Sequence, residues 1–207
     1  MKLLKLFSLT LILLTLPFLS NAQDEDDYEH LLKDRKLSFS IFGSPIFEFS
    51  KVNGSFGFSS GGGGAIILNQ TLFVGGYGLK LAPVIEKDLV LNGQSYQDLE
   101  INFTHGGFWV GYIHDFRKLV HFGGSAKFGW GNISMEDPSL PGGYEDHVLV
   151  ITPQVEVEVN ISKWFKINAG AGYRIVTSTN ENVFDRNDFN SPQASIGFMF
   201  GWFRQKK

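Results

Sequence analysis

The sequence predicts an all-β protein, an eight-stranded antiparallel up-and-down β-barrel that crosses a membrane. Three observations carry that expectation. First, the short polar turns Asn69-Gln70-Thr71, Asp115 to Lys118 and Asn160 to Lys163 recur at steps of 46 and 45 residues. Each is entered from an apolar strand-like run and left through a strand rich in glycine and aromatics: TLFVGGYGLKL, LVHFGGSAKFGW, WFKINAGAGYRI. A strand–turn–strand unit repeated in this way is a hairpin array. Second, the connections alternate between these tight turns and long polar loops, the asymmetry of barrels whose short turns face the periplasm and whose longer loops face outside. Third, the N-terminus reads as an export signal.

That signal has Lys2 and Lys5 ahead of an apolar run from Leu6 to Leu19, then small residues around Ser20-Asn21-Ala22. A positive n-region, an h-region and a cleavage site place the mature start at Gln23. The apolar run is shorter than the roughly 20 residues a spanning helix requires. With no cysteine in the chain, neither a lipidated cysteine nor a disulfide framework is available. Removing residues 1–22 leaves 185 residues, one domain, with 16 Lys+Arg against 21 Asp+Glu. That acidic balance argues against nucleic acid as a partner. No later stretch is long enough for a transmembrane helix, so insertion requires a closed barrel, which alone satisfies every backbone group without water. The expected division is therefore a cleaved signal peptide at 1–22, an acidic leader at 23–36 opening on Asp24-Glu25-Asp26-Asp27, the barrel at 37–203, and a basic tail at 204–207.

From Leu37 onward the apolar period is two, and proline and glycine fall in loops. The strands are expected near 37–50, 55–68, 71–82, 99–114, 119–132, 147–159, 164–177 and 193–203. The connection from Lys51 to Gly54 is short but lies on the long-loop side, with 83–98, 133–146 and 178–192. An even count with both termini on the periplasmic side follows.

The faces of these strands differ in kind. In the fifth expected strand Val120, Phe122, Ala126, Phe128 and Trp130 oppose His121, Gly123, Ser125, Lys127, Gly129 and Gly131. In the sixth, Leu149, Ile151, Val155, Val157 and Val159 oppose Thr152, Gln154, Glu156 and Glu158; in the seventh, Phe165, Ile167 and Tyr173 oppose Lys166, Asn168 and Arg174. Glycine weakens a water-facing strand, whereas a narrow lumen needs small residues. The apolar faces therefore go to lipid and the glycine-plus-charge faces go inward. The fourth expected strand breaks parity at His105-Gly106-Gly107, where a β-bulge would restore it.

The expected lumen then collects Glu48, Lys80, Lys127, Glu156, Glu158, Lys166 and Arg174. These form either a polar site or a structural network in which buried charges must pair. An eight-stranded interior is about filled by its own side chains, which favours the network. The run Gly61 to Gly64 relieves crowding where a small barrel bends; no strand–loop–helix context supports a phosphate cradle there. The histidines show no metal-ligand spacing, and Ser125 with His121, four residues apart or about 13 Å along a strand, cannot form a nucleophile–base pair. No catalytic residue, metal site or cofactor is expected. Trp109, Trp130, Trp164 and Trp202, with Tyr77, Tyr112 and Tyr173, are expected in interfacial girdles, with a stacking platform for a ligand as the sharper alternative.

The closing run Phe198-Met199-Phe200-Gly201-Trp202-Phe203 resembles the C-terminal insertion signal of outer-membrane barrels, here followed by Arg204-Gln205-Lys206-Lys207. Together with the signal and the hairpin repeat, it resembles the small outer-membrane β-barrel families of Gram-negative bacteria, and GGGGAIILNQTLFVGGYGLKL from Gly61 to Leu81 resembles uncharacterised members. The resemblance implies location and topology and transfers no catalytic residue. It implies residence in the cell outer membrane, outer-membrane lipid as a partner, and a non-enzymatic role in structure, surface interaction or assembly, with a surface or periplasmic protein as a further partner. Two other readings stand beside it: a narrow transporter or lipid/small-ligand binder, and a soluble secreted lipocalin-like binder.

Overall fold

A computed structural model describes residues 37–82, 85–91, 94–135, 144–177, 183–184 and 187–203. The expected signal peptide, acidic leader and basic tail lie outside the described residues, as do Asp185 and Arg186. The described residues form nine strands: β1 (Phe39–Val52), β2 (Ser55–Leu68), β3 (Leu72–Leu81), β4 (Glu86–Leu91), β5 (Gln94–Ile113), β6 (Val120–Met135), β7 (Tyr144–Asn160), β8 (Phe165–Thr177) and β9 (Ser191–Trp202). All neighbours are antiparallel. β3 pairs with β5 and β1 pairs with β9, so eight strands close on themselves and β4 stands outside the ring.

Closure can be followed residue by residue. From His147 the paired row runs through Asn132, Thr104, Lys80, Ser60, Phe47, Ile196 and Ala169, and returns to β7 at Val157, ten residues lower. A stagger of this size forces the strands to tilt by about 40° from the barrel axis.

The turns follow the chemistry that hairpins require. Asn53 and Gly54 both have positive φ (50° and 77°), as do Asn69 and Gln70 (52° and 61°), the pairing that matches strand twist in two-residue loops. Thr71 N donates to Leu68 O at 3.0 Å, and Asn69 Oδ1 accepts from Ser38 N at 3.2 Å. In the next turn Lys118 N donates to Asp115 O at 2.9 Å. The Lys118 ammonium, 2.5 Å from Asp115, holds that carboxyl below its ordinary range.

Apolar residues face outward over ten-residue spans on four strands: Phe39 to Phe49, Val120 to Trp130, Leu149 to Val159 and Phe165 to Ile175. At about 3.3 Å per residue and a tilt of about 40°, that is a band about 25 Å tall, the height of a lipid-facing belt. Phe122, Trp130, Val155, Trp164 and Trp202 are each more than 60% exposed.

Three expectations are corrected. The long connection 83–98 is not a loop throughout: β4 pairs with the start of β5, and Asp98, with a φ of 58°, accompanies a register shift between Lys87 and Leu89. No bulge interrupts β5 near His105; its register is continuous with β6 from Ile101 to Ile113 and with β3 from Thr104 to Tyr112. The apolar residues change faces for another reason. Leu99, Ile101 and Phe103 lie inward above the band, in a core with Ile133, Met135, Val148, Val150, Val176, Phe184 and Phe189, while Phe108 and Tyr112 lie outward within it. Trp109 and Tyr77 also face inward, 4% and 7% exposed, and do not belong to a girdle.

The glycine run on β2 meets glycines on both neighbours: Gly64 faces Gly43 and Gly76, and Gly62 faces Gly78. A Cβ on Gly75 would fall inside contact distance of the Gly64 carbonyl oxygen and Ala65, whereas one on Gly78 would meet open space. Gly75→Val is therefore expected to abolish the folded, faster-migrating band on an unheated denaturing gel, and Gly78→Ala to preserve it. Equal behaviour of the two variants would contradict this packing.

Candidate functional site

Six of the seven charged residues expected in the lumen point into it and are almost completely buried: Glu48, Lys127, Glu156, Glu158, Lys166 and Arg174. Lys80 does not. It is exposed on the outer wall, because β3 turns Phe73, Tyr77, Leu79 and Leu81 inward and leaves Val74, Gly76, Gly78 and Lys80 on the other face. Glycine on both faces of this strand hid its parity.

The buried charges sort into three tiers. In the tier nearest the long connections, Glu48 takes both cations: Lys127 Nζ lies 3.4 Å from Glu48 Oε2, and Arg174 Nη1 lies 3.6 Å from Glu48 Oε1. Arg174 then spends its remaining donors on the walls. It donates to Phe189 O at 3.0 Å, Ser50 Oγ at 2.9 Å and Lys51 O at 2.9 Å, and lies over the Phe103 ring. One guanidinium thus ties β8, β1 and the loop before β9 together, as its rigid fork of donors permits. Asn53 N donates to Asp188 O at 2.7 Å beside it, fastening the same loop to the first hairpin.

In the middle tier, Glu156 accepts from neutral groups: Ser125 Oγ at 2.6 Å, Asn168 Nδ2 at 3.2 Å and Gln154 Nε2. Trp109 Nε1 donates to Ser125 Oγ at 3.1 Å. The Gln193 amide spans the upper tiers, 3.0 Å from Gln154 and 2.7 Å from Glu48. Tyr77 Oη lies 3.2 Å from His105 Nδ1.

In the tier nearest the tight turns, Glu158 Oε2 lies 2.9 Å from His121 Nε2 and 3.4 Å from Lys166 Nζ. Lys166 sits over the rings of Phe116 and Phe203, at 3.4 and 4.6 Å. Phe116 comes from the turn after β5 and Phe203 follows β9, so two buried rings floor the lumen. At the opposite end, the core containing Phe184 and Phe189 roofs it.

Three carboxylates and three cations make the described lumen neutral when its histidines are neutral. Each ion has a partner or a set of donors, the condition under which charge survives in a low-dielectric interior. His121, Ser125, Gln154, Asn168 and Gln193 belong to this network although only the charged residues are singled out by sequence; the same period-two alternation marks them. Ser125 and His121 engage different carboxylates and do not meet. The expected set therefore divides into two groups of ion-paired residues, a hydrogen-bonded Glu156 between them, and an outlying Lys80.

Removing the shared anion would leave two buried cations facing each other. Glu48→Ala is expected to destabilise the barrel by about 3 kcal/mol, read as a lower urea midpoint for unfolding from lipid vesicles. Lys80→Ala, on the outer wall, should leave the midpoint within about 0.5 kcal/mol of the wild type. A silent Glu48 variant would refute the network's structural weight.

No protein-family model matches the sequence, and no curated relative matches it either. Solved structures do match. The crystal structure of Neisserial surface protein A aligns with a TM-score of 0.56 and 11% identity, covering 82% of this chain and 100% of that one. The N-terminal β-barrel domain of Pseudomonas aeruginosa OprF aligns with a TM-score of 0.52 and 10% identity, covering 79% of this chain and 97% of that one. At such identities the likeness is one of fold, and it coincides with the closure, the apolar band and the inward charges. The chain has the fold of the small eight-stranded outer-membrane β-barrels.

Proposed function

We propose that this protein is exported by a cleaved signal at residues 1–22 and resides in the cell outer membrane. There it is a non-enzymatic barrel with a structural, surface-interaction or assembly role, acting through its extracellular loops. The observation that carries this reading is the combination of an apolar outer band about 25 Å tall with a lumen filled by paired charges and closed by aromatic rings at both ends. Among the described residues this filling leaves the lumen little room for water, so on this reading its chemistry toward partners belongs to its ends and its outer wall. The expected surface partner would meet the connections at 83–98, 133–146 and 178–192, beside the ends of β4–β5 and β6–β7 that extend beyond the band.

The transporter reading needs an open lumen, and the floor of Phe116 and Phe203 with the roof of Phe184 and Phe189 opposes it. The lipocalin-like reading needs an apolar interior and a polar exterior, and the exposure of Phe122, Trp130 and Trp202 opposes that.

Fractionation of expressing cells is expected to recover the protein in the outer membrane, migrating faster unboiled than boiled. Planar bilayers holding it should stay electrically silent. Lipids brominated on their acyl chains should quench Trp130, Trp164 and Trp202 and spare Trp109, which faces the lumen. Recovery in the soluble periplasmic fraction, or stable conductance steps, would overturn the proposal.

A further inference from the structure

Lys80 is exposed on the outer wall, and its height on that wall is informative. Each step along a paired row changes height by about 3 Å, because neighbouring strands lie about 4.8 Å apart at a tilt of about 40°. Two steps up from Lys80 through Thr104 lead to Asn132, and two residues down β6 lead to Trp130. The net difference is about 1 Å by the same geometry. Lys80 therefore stands level with Trp130, at the extracellular edge of the apolar band, where headgroups meet acyl chains. It makes no ion pair among the described residues.

Beside it is a groove of about 600 Å³, lined by Gly61, Gly78, Gly106, Gly131, Lys80 and Trp130 among others. Gly78 on β3 and Gly106 on β5 leave the outer face of this strip without side chains, and the backbones of Gly61 on β2 and Gly131 on β6 flank it. Three of the four are enforced by the fold: a Cβ on Gly61 would enter the Gly78 carbonyl, one on Gly106 would crowd the Tyr77 carbonyl at 2.8 Å, and one on Gly131 would press on His105 and the Thr104 carbonyl at 3.0 Å. Gly78 is different. A side chain there would meet nothing within 4 Å, so the barrel does not demand glycine at that point and the open groove does. Above the groove, Asn132 Oδ1 is buried without a partner. Its Nδ2 donates to Glu145 at 2.7 Å, which places that acid at the groove's upper limit, three strands from Lys80.

We propose that this groove is a binding site for a phosphate-bearing lipid of the loop-side leaflet. Lys80 pairs with the phosphate, and an acyl chain lies along the glycine strip against Trp130. A lysine at the band's edge supplies the charge a phosphate needs, and the strip lets an acyl chain approach the sheet backbone closely. The inference rests on the proposed insertion in a bilayer.

The test uses the full mature chain folded in neutral detergent, with phosphatidic acid as probe and diacylglycerol of the same chains as the phosphate-free comparison. Native mass spectrometry counts the lipid retained. Wild-type protein should retain phosphatidic acid in preference to diacylglycerol. Lys80→Gln should bind it about tenfold more weakly, the effect of one lost charge-assisted contact. Gly78→Leu, which fills the groove and leaves Lys80 in place, should also release it. Lys51→Gln removes an outward lysine that does not line the groove and should bind as the wild type. Equal retention of the two lipids, full retention by Lys80→Gln or Gly78→Leu, or displacement of phosphatidic acid by inorganic phosphate alone would each overturn the site. The unheated gel band reports folding separately. Its loss in the wild type would strike the bilayer reading, and its persistence with unchanged lipid retention in the variants would strike only the groove.

Discussion

Closure of the sheet is the constraint from which the rest of this structure follows. Pairing β1 with β9 and β3 with β5 removes every free edge in the ring, and only a chain without free edges can place strands in lipid. Closing eight strands with a stagger of ten fixes the radius, and that radius leaves an interior only wide enough for side chains. Once the outer face is given to lipid, every charge within the band is driven inward. There the space admits few waters, so each charge must find protein partners. Glu48 between Lys127 and Arg174, and Glu158 between Lys166 and His121, are the form that requirement takes.

The same constraint explains why glycine concentrates where it does. A narrow, strongly coiled sheet brings backbones together at its tightest bends, and Gly61, Gly75 and Gly107 lie where any Cβ would enter a neighbouring carbonyl. These glycines follow from geometry. Gly78 does not, and this difference lets the groove beside Lys80 be distinguished from ordinary barrel crowding. A residue required by the fold carries no information about a ligand; a vacancy the fold does not require does.

Much of the barrel was legible in the sequence because two physical periods coincide there. Within the band, lipid outside and a filled lumen inside give the alternation Val120/His121, Phe122/Gly123, Phe128/Lys127, and the face bearing charge and glycine identifies the lumen. The alternation could be read wherever both faces carried side chains. It failed on β3, where Gly75 and Gly76 blank both faces and Tyr77, Leu79 and Leu81 bring bulk to the inside. Lys80 was misplaced for that reason. It failed again at the extracellular end of β5. Beyond the apolar band the expected solvent is water, and Leu99, Ile101 and Phe103 obey the rule of a soluble core. A strand crossing that boundary reverses its apolar face with no change of register, and from one strand alone the reversal looks like a bulge. The hairpin β4–β5 was hidden similarly, its polar residues resembling loop where they are water-facing strand.

That reversal bears on function. The sheet has two regimes: below Trp130 an inside-out barrel whose interior sets the paired charges beside a buried apolar cluster that includes Phe42, Phe73 and Trp109, above it a conventional barrel end with an apolar core of Ile133, Met135, Val148, Val150 and Val176. Arg174 stands at the join, with its charge in the polar tier and its donors on the wall and loop above. The water-exposed end is therefore held by the lumen's charges as well as by its own core. A loop-side end whose described residues are tied in this way to a filled lumen suits a part that presents a fixed surface. It does not suit one that must open, since opening would separate Arg174 from Phe189, Ser50 and Glu48 together.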